Sequence, residues 1–185
     1  MSGRWSVPSI TRALLPILLA LTVLELLGGL TLGSFEATLL RYPSLLVLVP
    51  VTIGTAGNLG SILASRLSTD FHLGVLSFDP GDERLIGNTA TTILLAVSVF
   101  PAVGAGAWAM AWITASPQLA LGTVVVVALA SGVVLAVLAV VVSLVMTYLA
   151  YRLELDPDDV VIPVVTNVCD VLGVVVLFGV VQVLV

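Results

Sequence analysis

The amino-acid sequence predicts an all-α integral membrane protein with five transmembrane helices, and two observations support this fold class. First, 59% of the 185 residues are hydrophobic and only 9% are charged, with a mean hydropathy of +1.24. Soluble domains contain about 25% charged residues. Second, the apolar residues fall into long runs, and a helix needs about 20 apolar residues to cross a bilayer. The runs span about residues 13–33, 42–64, 85–115, 118–149 and 160–185.

Helices explain these runs better than strands do. The runs are rich in Val, which favours strands. A transmembrane strand, however, has only about 9–11 residues and alternates apolar with polar side chains. The third and fourth runs are longer than 30 residues, so those helices should tilt, kink or project beyond the bilayer. Pro101 is a candidate kink.

The first run follows a short polar segment, residues 1–12. It is longer than the apolar region of a signal peptide, about 7–15 residues, and lacks a small-residue cleavage site. We therefore predict a retained span, and divide the chain into a cytoplasmic segment 1–12 and a single five-helix transmembrane domain 13–185. Glu25 lies inside this span, and its plain interpretation is a carboxylate near a helix end or paired with an arginine.

The positions of the arginines predict the orientation of the chain. Five spans place the two termini on opposite sides of the membrane. A cytoplasmic N-terminus puts most arginines in cytoplasmic segments, as the positive-inside rule requires. We therefore expect a multi-pass protein of the plasma membrane with its C-terminus outside. The cytoplasmic arginines are Arg4, Arg12, Arg66, Arg84 and Arg152, and the outer one is Arg41.

The last apolar run contains a carboxylate, Asp170. An acid at membrane depth costs roughly 2.5 to 3.5 kcal/mol on insertion scales, and is by default a candidate functional residue. Asp170 lies about 15 Å along the span at about 1.5 Å per residue, between the cytoplasmic mouth and the bilayer centre. Residues three, four and seven apart share a helix face. Pro163, Thr166, Asp170 and Gly173 therefore form one stripe, with Asn167 at its edge.

The second apolar run contains a matching stripe of small residues that includes Gly54, Gly57 and Ser61. Small residues at this spacing are packing faces in membranes, and helix packing alone is the plain interpretation. Asn58 indicates a function beyond helix packing, since an amide side chain gains nothing from an apolar environment. Gly57 and Gly60 lie within one turn and would also permit an unwound segment, which membranes tolerate where it lines a water-filled cavity.

Together these runs offer carboxylate, amide, hydroxyl and carbonyl oxygens, which select Mg²⁺ or Ca²⁺ over Zn²⁺ or Cu. The single Cys169 can form neither an intrachain disulfide nor a thiol cluster. Mg²⁺ usually keeps several waters and uses one or two carboxylates. One Asp170 supplies too little charge for a divalent ion, whereas a two-fold homodimer would supply a pair. The residues therefore predict a dimeric cation pathway in the lipid bilayer, with no nucleic-acid partner.

Two segments carry a resemblance to a known family. Residues 50–69 contain Pro-x₆-Gly-Asn-x-Gly and then Ala-Ser-Arg-Leu-Ser-Thr. This order resembles the second span of the MgtE-type magnesium transporters and of the related animal solute-carrier magnesium transporters. Residues 155–173 contain Leu-Asp-Pro-Asp, then Pro, Thr, Asp and Gly, and this resembles the run that opens the last span of the same superfamily.

The resemblance implies a homodimeric Mg²⁺-selective pore or carrier in which Asp170 and its symmetry mate bind hydrated Mg²⁺. Thr166, Asn167 and the Gly57–Asn58 segment fall where the family lines its pore. The chain departs from the family in two ways. Bacterial members carry a large cytoplasmic region with CBS domains, whereas about 12 residues precede the first span here. The animal carriers fuse two units in one chain, so a single unit must dimerise in trans.

Acidic residues in the predicted cytoplasmic loops are candidate Mg²⁺-sensing sites that would stand in for the absent CBS region, with Mg²⁺ as a regulatory ion. A solvated face or a cation-attracting mouth is the commoner role of such charges. These residues are Asp79, Asp82, Glu83, Asp156, Asp158 and Asp159.

Three functions remain open from the sequence. The first is transport of Mg²⁺ through a passive or gated channel. The second is exchange of Mg²⁺ against Na⁺ or H⁺, since an intramembrane Asp could titrate. The third is a non-transporting membrane scaffold whose polar residues only join helices. We do not expect an enzyme, because the sequence contains no Ser/His pair and no His arrangement that would bind a catalytic metal.

Overall fold

The structure, a computed structural model, describes residues 7–114 and 118–185. These ranges form α-helices and contain no strand. The helices are α1 (Val7–Gly33), α2 (Glu36–Arg41), α3 (Pro43–His72), α4 (Glu83–Thr114), α5 (Leu121–Arg152) and α6 (Pro157–Leu184). Five of them are long and apolar enough to cross a membrane, which confirms the five predicted spans. Arg4 lies outside the described residues, as do the side chains of Asp158 and Asp159.

The structure adds helical residues beyond both ends of the second predicted span. Residues 34–41, which separate the first two apolar runs, contain the short helix α2. The span was expected to end near residue 64, but α3 continues to His72. The polar segment between the second and third apolar runs is therefore helical at both ends, and only residues 73–82 lie between the helices.

A polar network accounts for the extension of α3. Arg66 Nε donates a hydrogen bond to Asn88 Oδ1 (2.6 Å), and Asn88 Nδ2 donates to Asp70 Oδ2 (3.2 Å). Arg84 of α4 forms an ion pair with Asp70 at 3.5 Å. Asn88 is buried, so the network lies between the two helices. These bonds give the polar end of α3 partners on α4, and the helix continues after its apolar run has ended.

Helices α3, α5 and α6 form the centre of the bundle, where each packs against the other two. Helix α4 packs on α3 and α5, and α1 packs on α6. In the most apolar segment of α5, 50% of the residues are buried, whereas the same figure for α1 is 11%. Helix α1 consequently exposes apolar side chains such as Leu26 and Leu30. Lipid is the solvent that suits this surface.

Candidate cation site

Glycines on α3 and α6 bring these helices into direct contact around Asp170. A Cβ added at Gly57 would lie 3.6 Å from Asp170 Oδ1 and 3.8 Å from Thr166 Cα. A Cβ added at Gly173 would lie 2.7 Å from Ile53 Cγ1. The two backbones approach this closely because neither glycine carries a side chain. Thr166, Asp170 and Gly173 of the predicted stripe thus lie against Gly57 and Ile53 of α3, whereas a Cβ added at Gly54 of the small-residue stripe would have no neighbouring atom within 4 Å.

The backbone of α3 stays helical beside Asp170, so the unwound segment that Gly57 and Gly60 would permit does not form. The carbonyl oxygens there are occupied. Gly57 O accepts a hydrogen bond from Ser61 Oγ (2.8 Å), and Gly60 O accepts one from Ser143 Oγ (3.1 Å). A continuous helix satisfies its backbone groups internally, as the bilayer core demands. Side chains are therefore the candidate ligands at this level, rather than unwound carbonyls.

Asp170 lines a cleft between α1, α3 and α6. The cleft has a volume of about 220 Å³, and its walls include Glu25 from α1 and Ile53 from α3. A Cβ added at Gly28 would lie 3.1 Å from Val171 Cγ2, so α1 also approaches α6 through a glycine. No basic side chain lines the cleft. Within the described residues, the Asp170 carboxylate makes no hydrogen bond and no ion pair.

The size and charge of the cleft suit a hydrated divalent cation. The cleft is partly open and has a volume of about 220 Å³, which leaves room for water molecules beside an ion. Asp170 and Glu25 together offer two carboxylates from one chain. Mg²⁺ is commonly bound through one or two carboxylates while it retains several waters. The cleft can therefore accept the ion without stripping its hydration shell.

Thr166 and Asn167 lie beside Asp170 on α6 and are both half-buried. The Thr166 hydroxyl donates to the carbonyl oxygens of Ile162 (3.1 Å) and Pro163 (3.0 Å). Asn167 Nδ2 donates to Pro163 O at 2.9 Å. These bonds use the Thr166 O–H and one of the two Asn167 N–H groups, and Thr166 Oγ1 and Asn167 Oδ1 keep their acceptor capacity. Neither side chain lines the cleft itself, and their role as ligands stays a prediction.

Asn58 does not lie in this cleft. Its side chain is exposed on the outer face of α3, as are Gly54 and Ser65 along the same helix. The structure therefore brings Gly57, Thr166, Asn167 and Asp170 to one region. Asn58 lies beside it on a face that no helix within residues 7–114 and 118–185 covers.

Asp82, a candidate sensing residue, uses its carboxylate to hold the start of α4. Oδ2 accepts hydrogen bonds from Ser77 N (2.7 Å) and Ser77 Oγ (2.9 Å), and Oδ1 accepts from the backbone N–H groups of Arg84 (2.8 Å) and Leu85 (3.2 Å). These bonds, above all the one from the Ser77 backbone N–H, lower the pKa of Asp82 from 3.8 to about 2. This is the arrangement of a helix N-cap.

The other loop acids do not gather into a site. Asp79 Oδ1 accepts a hydrogen bond from Gly81 N at 2.9 Å within its own turn. Glu83 is the first residue of α4, and Asp156 is exposed just before α6. Among the described side chains, no group of three or more His, Cys, Asp or Glu residues could hold a metal. The role of the loop acids in sensing stays a prediction.

The sequence profile of the MgtE family, described as divalent cation transporters, matches residues 49–180. The chain belongs to this family. The match covers α3 to α6 almost entirely, including the Gly57–Asp170 contact, and confirms the resemblance carried by residues 50–69 and 155–173. No individual curated protein matches the chain. Divalent cation transport is thus the activity of the family, and no enzymatic activity belongs to that description.

Glu25 is the residue of this MgtE-family protein that sequence reasoning did not assign to the site. Neither plain interpretation fits: Glu25 lies two turns before the end of α1 at Gly33, and it forms no ion pair with a described arginine. It lies in α1, outside the matched residues 49–180. The signal that could have found it is the second carboxylate at membrane depth, because ionisable residues there commonly face one another or a water-filled cavity.

Proposed function

We propose that this protein transports Mg²⁺ across the plasma membrane as a two-fold homodimer, with Asp170 of each chain binding the hydrated ion. One observation carries the proposal: the Asp170 carboxylate lies in a cleft between membrane-spanning helices without a hydrogen bond or ion pair from any described residue. A carboxylate in such a place is high in energy until a cation neutralises it. The family profile supports a divalent cation as that partner.

The choice of Mg²⁺ follows from the ligands and the volume. Asp170, Thr166 and Asn167 offer oxygen atoms, which favour Mg²⁺ or Ca²⁺ over softer metals. The cleft beside Asp170 has a volume of about 220 Å³ and is partly open, so water can accompany an ion there. Mg²⁺ dehydrates more reluctantly than Ca²⁺. A cleft that admits the ion with its waters therefore favours Mg²⁺.

The exposed face of α3 supports the dimer. Gly54 and Asn58 lie on this face at membrane depth, where lipid offers no hydrogen bonds to an amide. A second copy related by two-fold symmetry would cover Asn58 and would bring a second Asp170 toward the same axis. Two Asp170 carboxylates would balance the charge of one divalent ion.

The topology of the proposal is the one that the arginines favour, with the N-terminus in the cytoplasm. The α3–α4 loop and the start of α4 with Arg84 then face the cytoplasm, while Arg41 lies outside. Asp70, Asp79 and Asp82 lie near that mouth, where their charge attracts cations.

Exchange against H⁺ is a second candidate, favoured by the presence of Glu25 and Asp170 in one cleft. Carboxylates must be deprotonated to bind a metal, so metal binding at such a site releases protons.

Flux measurements in proteoliposomes test the proposal and separate the candidates. Wild type and Asp170→Asn are reconstituted with a Mg²⁺-sensitive dye inside, and an electrical potential, a pH gradient or a Na⁺ gradient is imposed in turn. We expect wild-type Mg²⁺ influx to follow the electrical potential alone, and Asp170→Asn to fall to the level of empty vesicles. A requirement for an opposing H⁺ or Na⁺ gradient would establish an exchanger.

Wild-type flux equal to that of empty vesicles would reject transport. If Asp170→Asn transports Mg²⁺ normally but assembles poorly, Asp170 serves to join helices, as the scaffold hypothesis predicts. If the protein in nanodiscs has the mass of a single chain, the proposed homodimer is wrong.

A further inference from the structure

The polar contacts of α5 identify one more residue of the transport machinery, an inference that rests on the proposed function. We propose that Ser143 is a positioning residue whose hydroxyl fixes α3 against α5 and thereby sets the gap in front of Asp170. Ser143 does not line the cleft. It acts through the backbone of Gly60.

The contact itself is a buried bond between two membrane-spanning helices. Ser143 is fully buried, and its Oγ donates to Gly60 O at 3.1 Å. In most of the spans the serine and threonine hydroxyls bond to the carbonyl four residues earlier in their own helix, as Ser61 does with Gly57. Ser143 instead reaches a residue of another helix, in a core without water to replace the bond.

Gly60 is the place where three helices meet. A Cβ added there would lie 2.5 Å from Val165 Cγ1 on α6 and 3.3 Å from Ala139 Cβ on α5. The Ser143 bond and these contacts act on the same residue of α3. The Val165 contact sets how closely α3 approaches α6, and the Ser143 bond holds α3 in place from the α5 side, since polar side chains join helices in membranes.

The position of Gly60 is transmitted to the cleft. Gly57 lies one turn before it, about 4.5 Å along the axis at about 1.5 Å per residue. A Cβ at Gly57 would be 3.6 Å from Asp170 Oδ1, so Gly57 lies directly against the carboxylate at the edge of the cleft. Since a helix is stiff over one turn, a shift of α3 at Gly60 moves this wall by a similar amount. Binding sites must hold their geometry within about 0.5 Å to keep their selectivity.

The loss of the bond should therefore affect discrimination between cations of different size. Mg²⁺ keeps its waters in a strict octahedron, whereas Ca²⁺ has a flexible coordination shell. A looser gap between Gly57 and Asp170 should weaken the contacts to the rigid hydrated Mg²⁺, while Ca²⁺ can adjust its shell. A role in folding alone would lower assembly and leave this ratio unchanged.

The chain offers a matched control on the same helix. Ser131 of α5 is fully buried like Ser143, but its hydroxyl has no hydrogen-bond partner among the described residues. Ser131→Ala removes the same atom from the same environment without breaking a bond to α3.

The experiment compares Mg²⁺ and Ca²⁺ flux in proteoliposomes for wild type, Ser143→Ala, Ser143→Thr and Ser131→Ala, with melting temperature and particle mass measured for each. We expect Ser143→Ala to raise the half-saturating Mg²⁺ concentration by about threefold, as the loss of one average interhelical hydrogen bond would, and to lower the Mg²⁺:Ca²⁺ flux ratio. Ser143→Thr, which keeps the hydroxyl, should restore both, and Ser131→Ala should match wild type.

The inference is overturned if Ser143→Ala keeps the wild-type affinity and flux ratio, or if Ser131→Ala changes them equally. It is also overturned if Ser143→Ala loses only melting temperature or assembly. A wild type that carries no Mg²⁺ overturns the proposed function, and this inference with it. If the wild type transports Mg²⁺ and Ser143→Ala behaves like it, the proposed function stands and only the positioning role of Ser143 is rejected.

Discussion

Asp82 and Asp170 carry the same side chain, but the protein uses the two carboxylates differently. Asp82 lies in the loop before α4, and its oxygens accept four hydrogen bonds from Ser77, Arg84 and Leu85. Asp170 lies inside α6 and accepts none from the described residues. It shares its cleft with Glu25. The chain itself supplies the hydrogen-bond donors for Asp82, whereas Asp170 has none among the described residues and is available to an external cation.

The contrast separates structural acids from candidate ligands. A carboxylate whose lone pairs already accept backbone N–H bonds stabilises its turn and has little capacity left for a metal. A carboxylate that is partly desolvated and unbonded gains most from a cation. Both acids were candidates on sequence grounds, and their hydrogen bonds show which of the two is already satisfied within the chain.

The largest effect among the new variants is expected from Glu25→Gln. This change keeps the shape of the side chain and removes one of the two charges in the cleft. We expect the half-saturating Mg²⁺ concentration to rise by about tenfold, which corresponds to about 1.4 kcal/mol of lost attraction, with the dimer intact. Concentration-dependent flux in proteoliposomes measures it.

Glu154→Gln is the control for that experiment, because it removes a carboxylate of the same type from the exposed turn after α5. If both variants behave like wild type, Glu25 does not contribute to ion binding, and Asp170 is the only candidate carboxylate ligand in the cleft.

The fold was largely predictable, because hydropathy reports directly on membrane-spanning helices. The five spans were confirmed. The end of α3 was not predicted, since hydropathy detects where the apolar run stops and not where the helix stops. Arg66 and Asp70 continue the helix because Asn88 and Arg84, distant in sequence, supply their partners.

The site was predictable in part. Helical spacing placed Thr166 and Asp170 on one face and Gly57 on the opposing wall, and the structure brings these residues together. Spacing within one helix could not reveal Glu25, because its place in the cleft depends on how α1 docks against α6. It could not reveal the partner of Ser143 either. Glycine spacing also suggested an unwound segment that a continuous helix replaces.

Gly57→Ala and Gly60→Ala should separate damage to the ion path from damage to packing. A Cβ at Gly57 makes ordinary contacts but lies 3.6 Å from Asp170 Oδ1, so Ala should lower flux by about threefold and leave the melting temperature nearly unchanged. A Cβ at Gly60 lies 2.5 Å from Val165 Cγ1, and such overpacking costs about 1–3 kcal/mol.

Melting temperature and flux are measured for both glycine variants, and for Gly60→Ala combined with Val165→Ala. The second change removes the clashing methyl groups and should recover stability. A double variant as unstable as Gly60→Ala would show that the contact with Val165 is not the cause.

A smaller effect is expected from Asp82→Ala, and it should be an effect on stability. The substitution leaves Arg84 N and Leu85 N without the acceptor that caps α4. Loss of an N-cap weakens the first turn of a helix, so the melting temperature should fall by a few degrees. Mg²⁺ flux per folded dimer should stay at the wild-type level. Loss of flux at unchanged stability would instead place Asp82 in the cation path.

The smallest effect concerns the acid titration of the same residue. The folded pKa of Asp82 lies at about 2, below its ordinary 3.8. The cap therefore contributes fully above about pH 4 and is lost as the pH falls toward 2. Carboxyl carbon shifts of Asp82 in detergent micelles measure this midpoint. Ser77→Ala removes the hydroxyl donor but keeps the backbone donor, so it should raise the pKa of Asp82 only part of the way toward 3.8. An unchanged midpoint would mean that the Ser77 hydroxyl does not bond to the carboxylate, and Asp82 would then have a free acceptor site, as Asp170 does.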